Sequence, residues 1–215
     1  MPDHINRKLR ELYNKVYKKG NPSSMEILRS VRALVRLAEE KDPYTKKHSV
    51  KVSRYAVLLA KYVGLPKHQI ERIRIASILH DIGKLGIDKH ILLKRDTLTH
   101  KEYEEVKKHP EIGVKLLKPL KFFENIIPLV KHHHENYDGS GYPAGLKGSS
   151  IPFNARLLTI ADVYDALTSK RAYRKAYISQ EAVKIMQEDI EKKFDPVLLN
   201  AFFICLSLKG LTEKM

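Results

Sequence analysis

Residues 132–143 read HHHENYDGSGYP. Three histidines and a glutamate stand in a row, and the chain then turns sharply through a glycine-rich stretch. These side chains can hold a metal, but the run alone does not decide it. The partners have to come from elsewhere in the chain. SILHDIGK at 77–84 supplies His80 and Asp81 as neighbours. His48, His109, His133, His134 and Asp162 each fall on, or one turn from, the apolar face of a helical pattern. A polar side chain on a core-facing stripe needs a partner. Scattered through a core, these residues would be costly. Gathered on metal, neutral imidazole and carboxylate are satisfied directly.

The pattern around them is helical nearly throughout. Ser23 and Glu26 form a capping box before MEILRSVRALVRLAEE, whose Leu28, Val31, Val35 and Ala38 mark one face. A helix is expected from His48 to Tyr62, ended by Gly64 and Pro66, and the next over 69–82. Thr99 and Glu102 make a second capping box. One helix is expected to follow it, carrying Val106, His109, Gly113 and Leu117 on a single stripe. Pro128 starts another that ends in the histidine run, and 154–169 reads as helix. Ser179 is expected to cap a helix through 192, and Asp195 and Pro196 suit the N-cap and first position of the last one. No stretch sustains strand alternation, although short extended pieces fit around Gly86–Asp88 and Pro143–Ile151. The fold class is all-α. Residues 1–22 carry only a weak apolar stripe (Leu9, Leu12, Val16) and read as an N-terminal helix or linker remnant. Residues 23–215 form the domain.

Composition narrows the partners. The 215 residues suffice for one sizeable core. Net charge is +15 with 40 Lys and Arg, a field that draws anions. The lysines are spread out, tryptophan is absent, and aromatics do not alternate with basic residues. A small phosphate-bearing substrate fits this better than a polynucleotide. No apolar run approaches the length of a membrane span, and residues 1–20 lack the apolar segment of a secretory signal. The one cysteine, Cys205, sits in LLNAFFICLSL as a small buried hydrophobe and fits a reducing cytoplasm.

HDIGK followed by HHENYDGSGYP resembles the HD-GYP subgroup of the HD metal-dependent phosphohydrolases. Every fixed position of that subgroup's second motif is present from His133 to Pro143. DPYTKKHS at 42–49, LLKRDTLTHKEYEEVKKHPEIG at 92–113, GLKGSSIPFNARLLTIADVYDALTSKRAYRKA at 145–176 and FDP at 194–196 extend the likeness over roughly residues 25–205. It implies an HD-domain-like helical bundle with a Gly-rich GYP loop. It also implies two divalent ions, iron or manganese, with zinc compatible. His48, His80 and Asp162 would hold one ion, and His109, His133 and His134 the other, with Asp81 bridging. Some members carry a glutamate four residues before the first histidine and bind a third metal. Tyr44 stands there in this chain, which favours two ions, with Glu40 one turn further back.

The implied reaction is hydrolysis of cyclic di-GMP to linear pGpG, with GMP as a further product left open, by a hydroxide activated between the ions. Asp81 and Lys84 are the candidate catalytic residues. Lys84, Tyr142, Arg171 and Arg174 are the candidate substrate contacts. Asp138, Gly139, Gly141 and Pro143 shape the loop: the glycines permit positive φ and close approach, Asp138 pins the turn, and Pro143 stiffens it. Glu135 reads as an orienting residue and Asp165 as one that orients or caps rather than binds metal, and His132 has no assigned role. Two other readings stay open: an HD phosphohydrolase acting on another nucleotide or cyclic dinucleotide, and a silent cyclic di-GMP-binding signalling module. The N-terminal helix would serve a homodimer or a sensory partner.

Overall fold

Ser23 donates its amide to the Glu26 carboxylate at 2.9 Å, and the Glu26 amide returns the bond to the Ser23 hydroxyl at 3.3 Å. This capping box opens α2 (Ser24–Lys41) in the computed structural model, which describes residues 3–17, 22–42, 45–94, 96–170 and 175–211. Before it, α1 (Asp3–Tyr17) lays Leu9 into the core and donates the Tyr13 hydroxyl to the Leu116 carbonyl at 2.5 Å. The following α3 (Thr45–Tyr62) starts three residues earlier than its sequence pattern indicates. Next comes α4 (Lys67–Leu79), which stops before the expected residue 82. There the chain tightens into a 3₁₀ segment, Ile82–Gly86.

A short α5 (Lys89–Leu92) precedes α6 (His100–Val106), opened by the expected Thr99–Glu102 capping box. The single helix expected beyond Thr99 is broken. It stops at Val106 and restarts as α7 (His109–Leu117). Pro110 is the physical reason: it has no amide to donate, and its ring would collide with the carbonyl of Val106 in a continuous helix. Pro128 lies in the first turn of α8 (Ile127–His132), as its position suggests. An irregular segment then leads to α9 (Phe153–Thr168).

In α10 (Ser179–Glu188) two expectations fail. The N-cap is Ile178, whose amide donates to Glu181 at 3.1 Å, while the Ser179 hydroxyl turns back to Tyr164 and the Leu211 carbonyl. The helix also ends before 192, because Glu191 takes φ +65° and Ile190 pairs with Phe194 in an isolated bridge. Asp195 caps α11 (Pro196–Leu208) through the amides of Val197 and Leu198. Among the described residues there is no β-sheet; the expected extended pieces amount to isolated extended residues, Ile87 and Asp88 in one stretch and Lys147 and Ile151 in the other, within loop and 3₁₀ turn.

The bundle is built around α3 and α9. The first packs on α2, α4, α9 and α11; the second, also against α8 and α10, is buried along most of its length. Val52, Ala56, Leu59, Ile73, Ala76, Leu158, Ala161 and Phe202 share one core. Tyr55, Tyr164 and Phe202 meet edge to face with centroids 4.9–6.2 Å apart. Each large apolar side chain so buried contributes about 1.5–3 kcal/mol. That stabilisation offsets the cost of burying Asp165 and His48 in the same layer. No helix among the described residues is long and apolar enough to cross a membrane.

Candidate metal centre

The candidate ligands sit where helices begin and end. His80 is the C-cap of α4, and Asp81 starts the 3₁₀ segment. His109 opens α7, and His133 is the C-cap of α8 with His134 next. At such ends the backbone leaves helical register, so neighbours can point into one space. His48 enters from the first turns of α3 and Asp162 from the interior of α9. Two groups result: His48, His80 and Asp162, and Asp81, His109, His133 and His134. Within each, potential ligand atoms lie within 4.8 Å of one another.

Backbone carbonyls fix the imidazole tautomers. Nδ1 of His80 faces the Ser77 carbonyl at 2.7 Å, that of His109 the Val106 carbonyl at 2.8 Å, and that of His133 the Val130 carbonyl at 2.8 Å. A carbonyl only accepts, so each Nδ1 carries a proton and each ring turns its Nε2 inward. His48 Nδ1 bonds the fully buried Asp165 carboxylate at 2.7 Å, and Ser169 holds that carboxylate from the other side at 2.9 Å. Burial lowers the His109 pKa to about 4 and that of His134 to about 3. Burial pushes His133 down strongly as well. For His48 burial acts in the same sense, but the bonds to Asp162 and Asp165 outweigh it and raise the value to about 9.

The inward nitrogens therefore face one another. His109 Nε2 and His133 Nε2 are 3.3 Å apart, and buried His80 Nε2 has no hydrogen-bond partner. A cation resolves both conditions. The carboxylates complete the arrangement. Asp81 Oδ1 is 3.4 Å from His109 Nε2, while its Oδ2 is 3.5 Å from His80 and 3.8 Å from His48. Asp162 Oδ1 lies 3.1 Å from His48 and 3.8 Å from His80. Burial opposes ionisation of both acids, but Lys84 and the histidines hold Asp81, and His48 holds Asp162, well below the usual carboxylate range. This His/Asp cluster is a binuclear metal-binding site consistent with two divalent ions.

Lys84 projects from the 3₁₀ segment and donates to Asp81 Oδ2 at 2.6 Å. The loop after His134 closes the other side. Glu135 is buried and accepts from the amides of Ala144 at 2.8 Å and Leu146 at 3.1 Å, with His132 Nδ1 at 3.2 Å. Asp138 accepts from the Ser140 amide at 2.8 Å. Gly139 takes φ +90°, and a Cβ at Gly141 would fall 2.2 Å from the Asn136 nitrogen, so the turn admits only glycine there. The Tyr142 amide returns to the His134 carbonyl at 3.1 Å, and its ring stacks on the His134 imidazole with centroids 4.8 Å apart.

The sequence profile described as "HD domain" matches residues 32–198. The chain belongs to the HD-GYP/HD-domain family of metal phosphohydrolases. This HD domain is 38% identical over 170 residues to the cyclic di-GMP phosphodiesterase response regulator RpfG of Xanthomonas campestris, covering 78% of the chain and 45% of the relative. It is 35% identical over 178 residues to the 3'3'-cGAMP-specific phosphodiesterase 3 of Vibrio cholerae, covering 83% and 39%. The solved V. cholerae cyclic GMP-AMP specific phosphodiesterase V-cGAP3 aligns with a TM-score of 0.57 at 29% identity, covering 87% and 42%. Bd1817 of Bdellovibrio bacteriovorus shares the fold, with a TM-score of 0.66 at 19% identity over 94% of this chain and 70% of that one. The chain spans less than half the length of these curated relatives.

All seven expected ligand residues come together in the HD domain, beside Lys84 and Tyr142. Arg171, Arg174 and Tyr44 lie outside the described residues. Glu40 is not at the cluster: it pairs with Lys8 at 2.7 Å on the surface. A single unbroken helix past Thr99 hides Lys107, whose ammonium lies near the Tyr103 and Tyr142 rings; Pro110 is the residue that signals the break. Periodicity does not single out Thr159 either, whose hydroxyl donates to the His133 carbonyl at 2.8 Å and holds α8 to α9.

Proposed function

We propose that residues 23–215 are a metal-dependent phosphodiesterase that opens cyclic di-GMP to linear pGpG, with GMP as a further product of the same chemistry. The observation that carries this reading is Asp81, whose two oxygens face two separate ligand groups. Such a site, holding two ions, supplies an acidified water and positive charge for the phosphoryl oxygens. His48, His80 and Asp162 are the proposed ligands of one ion, and His109, His133 and His134 of the other, with Asp81 shared. A nitrogen-rich set with two carboxylates suits iron or manganese and accommodates zinc.

The attacking water oxygen bonds to phosphorus, the P–O3′ bond breaks, and O3′ takes a proton. The proposed role of Lys84, supported by its bond to Asp81, is to offset charge on the phosphoryl oxygens as it develops. Tyr142 lines the mouth beside His134. Arg171 and Arg174 are proposed to contact phosphate or guanine edges, where paired O6 and N7 acceptors suit a guanidinium. The loop residues Asp138, Gly139, Gly141 and Pro143 hold Tyr142 there. Residues 1–22 are proposed as the joint to a sensory partner or a second copy. Buried, unpaired Cys205 fits a cytoplasmic setting.

A second reading, opening of 3'3'-cGAMP, has support from the relatives, three of which are named as specific for it. A substrate panel decides. The protein is prepared anaerobically, loaded separately with iron, manganese or zinc, and offered cyclic di-GMP, 3'3'-cGAMP, cyclic di-AMP and a nucleoside triphosphate. pGpG should appear first and fastest. Faster opening of 3'3'-cGAMP selects the second reading. Faster hydrolysis of the triphosphate, or no turnover with any metal, contradicts both.

A further inference from the structure

The cluster and Lys84 serve one phosphodiester, whereas a cyclic dinucleotide carries two. The second phosphate lies across the macrocycle and needs a cation of its own. Lys107 is placed for it. Its ammonium sits 5.4 Å from the Tyr142 ring centroid and 5.8 Å from that of Tyr103. The Tyr142 ring stacks in turn on His134, so two short steps join Lys107 to the ligand cluster. The break at Pro110 makes this juxtaposition. Lys107 is the C-cap of α6 and leans toward the loop, while His109, two residues on, faces the other histidines.

Two further features suit a ligand rather than a fixed internal contact. The partner of Lys107 is Glu104 at 3.0 Å, and their side chains are 30% and 45% exposed. An exposed ion pair of this kind contributes little stability, so a phosphate can replace the carboxylate. Tyr103 is 49% exposed, which leaves a ring on which a base can stack. The two tyrosine rings also favour a cation held between them and the mouth.

We infer that Lys107 is a specificity-determining residue that holds the uncleaved phosphate of a cyclic dinucleotide, with the Tyr103 ring beside it as a platform for the attached base. This rests on the reading of the site as a cyclic-dinucleotide phosphodiesterase. The test uses the full chain loaded with manganese and two substrates: cyclic di-GMP, and bis(4-nitrophenyl) phosphate, which has one diester and no second phosphate. Lys107→Met keeps the length of the side chain and removes its charge. It should raise KM for cyclic di-GMP by about tenfold or more, as loss of a charge-assisted contact does, with kcat held within about threefold. The ratio of kcat/KM for cyclic di-GMP to that for the small diester should fall correspondingly, and Lys107→Arg should recover most of it. An unchanged KM, equal losses on both substrates, or no recovery by arginine overturns the role of Lys107 while leaving the phosphodiesterase reading intact. A wild-type protein that cleaves the small diester but no cyclic dinucleotide overturns the substrate reading itself, and this inference with it.

Discussion

At the scale of single residues, the centre is set by hydrogen bonds on the far side of each imidazole. Three rings are held by carbonyls three residues back in the chain, at 2.7–2.8 Å; for His109 that carbonyl, of Val106, ends the preceding helix. His48 is held by a carboxylate instead. Asp165 therefore does for His48 what the backbone does for the others, and adds negative charge that makes the ring a better donor. Asp165→Asn should weaken binding of the ion at His48, His80 and Asp162 by about 10–100-fold and spare the other site. Competition with a chromophoric chelator, resolved into two steps, measures this. Equal affinities before and after the substitution would remove Asp165 from the account. The ligand types were legible in the sequence because polar residues recurred on core-facing stripes. The orienting role of Asp165 was legible as a type, but its partner was not, since α3 and α9 meet only in the folded bundle.

At the scale of elements, the site depends on helices that stop in the right place. Both capping boxes were legible because their bonds join residues three apart in sequence. The stops were harder. Asp81 leaves helical geometry after His80, and the 3₁₀ segment it opens packs on α7, a contact between distant parts of the chain. Gly83 makes that contact. A Cβ there would lie 1.8 Å from the His109 carbonyl oxygen and 2.6 Å from the Gly113 nitrogen, both backbone atoms that cannot swing aside. Gly83→Ala should cost about 1–3 kcal/mol by overpacking and also shift His109, weakening the ion shared with His133 and His134. Urea denaturation of the metal-free protein gives the first effect and metal titration the second. A midpoint equal to wild type would show that the two segments are not held together as described.

At the scale of the whole molecule, helices far apart in sequence deliver seven side chains to one space, and no local pattern reports that convergence. Periodicity gave the all-helical class and named the inward polar residues. Their division between two ions came from family likeness, and the two spatial groups correspond to it. The net charge of +15 is a property of this scale too, suited to drawing an anionic substrate toward a centre whose two carboxylates only partly offset two divalent ions. The most direct test of the account is anomalous diffraction from crystals of the fully loaded protein, collected above and below the metal edge. Two peaks should appear roughly 3.5–4 Å apart. One should be ringed by His48, His80 and Asp162 and the other by His109, His133 and His134, with one Asp81 oxygen turned to each. A single peak at full loading, or two peaks with Asp81 bound to only one, would contradict it.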